Sequence, residues 1–301
     1  MNRGVYFVAN DCVFDQTIAL LSSLRLHDPE VPVFLVPFDE NYEQIWPICR
    51  DHFGVQIFPN QPFVEQLTND VADIFPRDFL KLPNKMRKLS LWFGPLDEFV
   101  YVDVDILLFQ SLTHSLAYLQ DADFFCCDFQ AKGRGLAEVF TPVVQEKGLF
   151  SEADLKDIFN SGFWGSRKEK FSYQEMLDTL KECANHREYF DFSTGTTDQP
   201  ILNYLVLKLI ERRVNIAQAN ADEPGSWAGS SHFKQQGNLL YDGDRRLRYL
   251  HWAGCPMRPS GPYWELWESY RFMNTAESLR NLMPPPKANL LGRLKRKVVK
   301  R

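Results

Sequence analysis

Four short stretches carry residue types whose spacing points to chemistry. In "EFVYVDVDILLF" (98–109), Asp103 and Asp105 interrupt an apolar, β-branched run. The flanks 99–102 and 106–109 read as one strand buried on both faces, as inside a parallel sheet. Side chains alternate along a strand, so the two aspartates share a side, roughly 6–7 Å apart at their roots. Two bare carboxylates at that spacing repel by roughly 2–3 kcal/mol at an effective dielectric near 20. A divalent cation would relieve that repulsion; the plain alternative is a solvated strand end. "FNSGFWGS" (159–166) offers Asn160 and Ser161 beside small residues that let a ligand approach the backbone, or else a tight turn. "TGTTDQPILNYL" (194–205) sets Thr197 as an N-cap ahead of Asp198 and Gln199, or simply compensates a helix dipole. "YLHWAGCPMRP" (249–259) places His251 at the end of an apolar strand, before a turn with Gly254 and Pro256. A histidine so placed is either a ligand or a hydrogen-bonded core residue.

The elements that must position these residues alternate in the first half. "VYFVA" (5–9) is followed by Phe14, Thr17, Ile18, Leu21 and Leu24 at helical spacing. "VPVFLVPF" (31–38), a helical stretch near 41–53 and "VQIFP" (55–59) come next. After a less regular segment, "NKMRKLSLWFG" (84–94) reads as a helix stopped by Gly94–Pro95, ahead of the strand 98–109. A helix near 111–119 and the strand "DFFCCDF" (123–129) follow. This β-α-β-α-β order predicts an α/β fold with a mostly parallel, doubly wound sheet and right-handed crossovers. In the second half, 159–165 and 247–252 read as strands, and 169–184 and 198–212 as helices. Ligands of such sheets bind beyond the carboxyl ends of the strands, where strand order reverses. Asn10–Asp11 ends the first strand and therefore falls at that edge.

Bulk properties exclude several classes. The chain has 301 residues, 45% apolar and 24% charged, as in an ordinary globular protein. Its net charge is −5, yet Pro286 to Arg301 hold seven Lys/Arg and no acid, which leaves −12 on residues 1–285. An acidic body argues against a reader of nucleic-acid backbones. The six cysteines form no CxxC pair and read as reduced, mostly buried thiols of a cytoplasmic protein. The first strand lies too near Met1 for a signal peptide, and no apolar run approaches a membrane span. No linker precedes "MPPPK" (283–287), so residues 1–285 are expected to form one domain and 286–301 a tail. That basic tail carries a modest apolar stripe (Leu290, Leu291, Leu294, Val298). It is expected either to contact the inner face of an anionic membrane or to be a solvated extension.

Taken in order, Asp-x-Asp, Asn-x-Gly, Asp-Gln and His-x-x-Gly resemble the retaining glycosyltransferases of family 8, the family of glycogenin and the bacterial lipopolysaccharide galactosyltransferases. The resemblance spans roughly residues 4–260. It implies the GT-A fold, a Rossmann-like sheet flanked by helices, and a UDP-hexose donor with a glycan or glycolipid acceptor. It further implies Mn²⁺ or Mg²⁺ held by Asp103, Asp105 and His251, a ligand set whose hard oxygens and one imidazole suit Mn²⁺. Asn10 and Asp11 would face the uridine, with Val104 and Gly254 at the donor nucleotide. Asn160, Ser161 and Asp198 would hold donor-sugar hydroxyls, and Gln199 would lie near the anomeric carbon.

Three departures from the family pattern stand out. A basic residue is expected in the helix before the metal motif, and Lys85, Arg87 and Lys88 all compete for it. Where the family shows Lys-Pro-Trp, this chain has Met257–Arg258–Pro259, so Arg258 is the candidate cation for the diphosphate. The aromatic that stacks on uracil after the first strand is missing. Two other readings compete: an Asp-nucleophile phosphohydrolase, and a non-catalytic nucleotide-sugar-binding protein. Tyr263, Trp264, Trp267 and Tyr270 at helical spacing read as core packing or as an acceptor-sugar surface, and Trp227 in a loop is a candidate for the acceptor side.

Overall fold

The computed structural model describes residues 1–80, 82–193 and 197–273. "MPPPK" and the basic tail 286–301 lie outside the described residues. The strands are β1 (Arg3–Ala9), β2 (Val33–Pro37), β3 (Gln56–Ile57), β4 (Glu98–Val102), β5 (Ile106–Leu108), β6 (Phe124–Cys126), β7 (Phe163–Arg167), β8 (Arg213–Asn215), β9 (Lys234–Gln236), β10 (Leu239–Asp242), β11 (Arg245–Arg246) and β12 (Tyr249–His251). Seven form a central sheet in the order β3-β2-β1-β4-β7-β6-β8. Its pairings are parallel except those of β7, which runs against both β4 and β6. The α/β class and the mostly parallel sheet therefore stand as the alternation predicts.

Strand order reverses between β1 and β4, so the carboxyl ends of those two strands open onto the crevice where ligands bind in such sheets. The reversed β7 brings its amino end to the same edge, with Val102 paired to Phe163. Alternate residues of the strands feed two hydrophobic layers. Tyr6, Phe34, Phe99 and Tyr101 pack on one face, and Val5, Phe7, Val33, Leu35 and Val100 on the other. Helix α1 (Phe14–His27) buries Ile18, Leu20, Leu21 and Leu24 against the second layer. Helix α2 (Ile45–Phe53) ends at Gly54, whose φ of +60° closes the helix in the left-handed region.

Several local expectations are corrected. The strand 98–109 is not continuous. β4 stops at Val102, residues 104–105 turn, and β5 leaves the main sheet to pair antiparallel with β12. Asp103 and Asp105 thus sit at the turn between two sheets, not side by side along one strand. The helix expected over 84–94 is a 3-10 helix, Pro83–Phe93. The segment passed over as irregular contains α3 (Gln61–Ile74), begun by Asn60, whose side chain accepts from the Phe63 amide, and by Pro62 in its first turn. All six cysteines are free, and Cys49, Cys126, Cys127 and Cys183 are buried. Among the described residues no helix is long and apolar enough to cross a membrane.

Candidate active site

The geometry is built by three loops that converge at the β1/β4 edge. Below them, Trp92 and Trp164 stack at 4.8 Å and 15°, and Trp164 also stacks on Tyr101. Trp164 Nε1 donates to the Ser161 carbonyl at 3.2 Å, which ties the loop before β7 to this aromatic floor. The same loop is clamped from the other side by Asn203. Its side chain accepts from the Phe159 amide at 2.9 Å and donates to the Phe159 carbonyl at 2.7 Å. Asn203 belongs to the helix Gln199–Leu209, so residues 159–162 are held in register with Asp198 at that helix's start.

Asp103 follows β4, and its amide donates to the Gly162 carbonyl at 2.8 Å. Asp105 precedes β5, and the register His251↔Ile106 sets His251 beside it, with Nε2 3.2 Å from Asp105 Oδ1. Asp103, Asp105 and His251 each present a ligand atom, all within 4.8 Å of one another. The aspartates are about one-third exposed and the imidazole is nearly buried, so the group opens outward. Gly162 permits this closeness. A Cβ there would lie 2.4 Å from His251 Cε1 and 3.0 Å from Asp103 Oδ2.

Beneath the trio lies a buried ammonium. Lys88 Nζ sits 2.6 Å from Asp198 Oδ2, 3.7 Å from Asp103 Oδ1 and 4.7 Å from the centre of the Tyr101 ring. Burial works against its charge, but Asp103 and Asp198 outweigh burial and hold its pKa above the ordinary lysine value. Asp198 is likewise penalised by burial, yet Lys88, Lys85 and the Ser161 hydroxyl, which donates to it at 2.9 Å, hold its carboxyl below the usual range. Asp103 goes the other way: burial pushes its pKa up against the pull of Lys88. Asp105 is held down despite burial, because His251 pairs with it. The Tyr101 hydroxyl donates to Asp103 Oδ1, and burial keeps that phenol protonated.

Three basic candidates preceded the metal motif, and they diverge. Lys88 enters the cluster and Lys85 bears on Asp198, whereas Arg87 donates to the Pro37 carbonyl and Thr68 Oγ1, joining β2 to α3. Asp198, not Thr197, is the N-cap of its helix, and its carboxylate makes no capping bond, going instead to Lys88 and Ser161. Gln199 is half-buried, its amide 3.5 Å from the Glu138 carbonyl. Asn160 Oδ1 accepts from the Gly162 amide at 3.0 Å. Asn10 is buried at the end of β1 and donates to Asp39 at 2.8 Å. Asp11 accepts from the amides of Gln44 and Ile45, so its carboxylate is engaged at the start of α2. Val104 packs on the second core layer. Gly254 takes φ +68° in an exposed turn, and Arg258 is exposed beyond it.

Asp128 was missed by the sequence reading. It follows β6, whose carboxyl end lies at the same edge, and its carboxyl is pushed up to about 6 by burial, against the amides of Gln130 and Asn160 and the charge of His251. Its only signal was a polar residue ending an apolar run. Asp39 was missed as well, because its partner Asn10 is 29 residues away.

With this geometry in view, solved structures supply the comparison. An active-site mutant of LgtC superposes with a TM-score of 0.61 at 16% identity, covering 93% of this chain and all of that one. This is the GT-A glycosyltransferase fold. LgtC is described as a galactosyltransferase, with a structure in complex with donor and acceptor sugar analogues. The bifunctional glycosyltransferase WbbM gives a TM-score of 0.60 at 13% identity over 93% of this chain, which spans half of WbbM. The glycosyltransferase GlyE of Streptococcus pneumoniae gives 0.54 at 14% identity over 96% of this chain and 66% of that one. No protein-family model matches the sequence, and no curated protein matches it.

Proposed function

We propose that this chain is a metal-dependent, retaining glycosyltransferase that moves a hexose from a UDP-sugar to a hydroxyl of a glycan or glycolipid. The observation that carries the reading is the convergence of Asp103, Asp105 and His251, with ligand atoms within 4.8 Å, over the Lys88–Asp198 pair at the strand-order reversal of a GT-A sheet. Two carboxylates and an imidazole fit a Mn²⁺ or Mg²⁺ ion, and their partial exposure leaves a side open to a diphosphate. Bound there, the ion supplies Lewis-acid stabilisation of the charge that grows on departing UDP.

The chain's own residues do the rest. Lys88 fixes the ionised Asp198, which with Asn160 and Ser161 accepts and donates to donor-sugar hydroxyls. Asn10, Asp11, Val104 and Gly254 line the nucleotide, and Arg258 or Lys85 pairs with the diphosphate as negative charge leaves the sugar. Gln199 lies beside the anomeric carbon on the face opposite UDP. A carboxamide is a poor nucleophile, so the acceptor oxygen bonds to the anomeric carbon on the face that UDP vacates, as the carbon–oxygen bond to UDP breaks. The acceptor proton passes to the leaving phosphate. Residues 1–285 form the catalytic domain in this proposal, and the basic tail holds it near a lipid-linked acceptor.

Isothermal titration of UDP with and without Mn²⁺, beside an Asp103→Ala/Asp105→Ala variant, tests the reading. UDP binding that requires both the ion and the two aspartates supports it. Binding indifferent to either, or no binding, overturns it.

A further inference from the structure

Most of the aromatic side chains are spent in the core. Five large apolar side chains stand well exposed among the described residues, and Trp227, at 45%, is the one joined to the candidate site. It forms a parallel bridge with His251: the His251 amide donates to Ser226, and the Ala228 amide to His251. The indole is also fixed in orientation. Its Nε1 donates to the Ala253 carbonyl at 2.9 Å, and its six-membered ring lies against Gly229, where a Cβ would come within 2.4 Å. An exposed tryptophan whose indole is held by a hydrogen bond and by packing loses little freedom when something stacks on it.

The surroundings of the exposed part of the indole are polar. The Arg134 guanidinium is centred 5.7 Å from the Trp227 ring centre. At that distance the cation makes a cation–π contact with the ring, and the residue as a whole remains 45% exposed. Arg134 pairs with Glu138, one turn on, at 2.5 Å. Glu138 holds a left-handed φ of 65°, its amide donating to Asp191 and its carbonyl facing the Gln199 amide. Trp227, Arg134, Glu138 and Gln199 therefore form a continuous rim that runs from beside His251 to the start of the helix bearing Asp198.

We infer that Trp227 is the platform on which the acceptor's pyranose ring stacks, with Arg134 and Glu138 hydrogen-bonding its edge hydroxyls. The inference rests on the glycosyltransferase reading for the word acceptor. The chemistry it names is a sugar ring with an apolar C–H face and polar edges, which matches an apolar plate bordered by one cation and one carboxylate. Located at this rim, the ring presents a hydroxyl toward Gln199 and the anomeric carbon.

The test uses the full chain labelled with 5-fluorotryptophan, the Trp227 fluorine resonance being the one lost in Trp227→Phe. Methyl β-glucopyranoside and methyl β-galactopyranoside are titrated in the presence of UDP and Mn²⁺, with mannitol as a polyol that has no ring face. The Trp227 signal is expected to move saturably with at least one pyranoside and not with mannitol. Trp227→Ala is expected to weaken pyranoside binding about tenfold or more, as truncating a hot-spot aromatic does, with Trp227→Phe near the wild type. A Trp227 signal that is still with both pyranosides, or moves equally with mannitol, overturns the inference, as does undiminished binding by Trp227→Ala. UDP titrated first into the labelled protein with Mn²⁺, before any pyranoside is added, separates the two ideas. If UDP binds and Trp227 stays silent, this inference alone fails. If Trp227 takes a pyranoside and UDP does not bind, the donor reading fails and the platform stands.

Discussion

Two of the carboxylate sites paired with cations among the described residues are built on opposite plans. Glu223 is buried in the segment that precedes β9, and its carboxylate accepts four hydrogen bonds. Arg248 donates to both of its oxygens at 2.8 and 3.0 Å, Asn220 to one and the Cys127 thiol to the other. Arg248 in turn donates to Ser115. Asp103 differs: one oxygen takes the Tyr101 hydroxyl with Lys88 at 3.7 Å, while among the described residues the other receives no donor and faces the opening beside Asp105 and His251. A satisfied buried pair fixes structure. Under the proposed function, carboxylates left with free coordination at an open edge are ligands in waiting, and their mutual repulsion is a cost that a bound cation would relieve.

Removing each site should therefore fail in a different way. Asp103→Ala/Asp105→Ala is expected to lose metal-dependent UDP binding and to lower transfer by about a thousandfold or more, roughly 4 kcal/mol of transition-state stabilisation. Its thermal midpoint should change little, because relief of the repulsion between the two carboxylates offsets the lost pairings with Lys88 and His251. A variant that melts early yet binds UDP normally would make the aspartates structural after all. Arg248→Met should do the reverse. It leaves Glu223 buried and unpaired, at about 3–5 kcal/mol of stability read from urea unfolding. The protein that remains folded should still bind UDP with Mn²⁺. If that variant lost binding and kept its stability, the contrast between the two sites would collapse.

The same contrast explains what could be read before any coordinates. The first half alternates strand and helix because residues of both core layers, Tyr6 and Phe7 or Val100 and Tyr101, come in continuous apolar runs bounded by polar turns. The four candidate motifs could be picked out because each sets polar residues in or beside an apolar run, and the fold brings their residues to one sheet edge. The break after Val102 could not, since residues 106–108 are as apolar as β4 and only the pairing with β12 removes them from the main sheet. Helix α3 was overlooked because only Val64, Leu67 and Val71 are buried among its many polar residues. Asn203, Tyr101 and Asp128 gain their roles from the reversed β7 and from contacts across 25 residues or more, or from a single strand's pleat, and neither has a local signature. Choosing Lys88 over Arg87 also needed the structure, because adjacent residues of a 3-10 helix face different ways.

Gly162→Ala sharpens the comparison from inside the open site. The new Cβ would meet His251 Cε1 at 2.4 Å, and the imidazole is confined by its backbone bonds to Ser226 and Ala228. Overpacking of this kind costs about 1–3 kcal/mol. The expected result is a loss of Mn²⁺ affinity of about tenfold in titration, equivalent to roughly 1.4 kcal/mol, with the far-ultraviolet spectrum unchanged. Unaltered Mn²⁺ affinity would mean that His251 is not a ligand.

Asp128 provides the smallest effect and the most specific signature. Its carboxyl has a pKa of about 6 in the fold against an ordinary 3.8, because burial disfavours the charge more than two backbone amides repay it. Between these values the folded chain binds more protons than the unfolded one, so stability falls as pH rises through the window and stays lowered above it. A shift of this size corresponds to about 3 kcal/mol at most, and partial exposure of Asp128 reduces the expectation to about 1–2 kcal/mol. Asp128→Asn cannot ionise. In EDTA it should match the wild type near pH 4, gain stability progressively toward pH 6 and hold that gain at pH 8, as read from urea midpoints. A gain that is equal at pH 4 and pH 8 would come from packing, and would place Asp128 with Glu223 among the satisfied carboxylates.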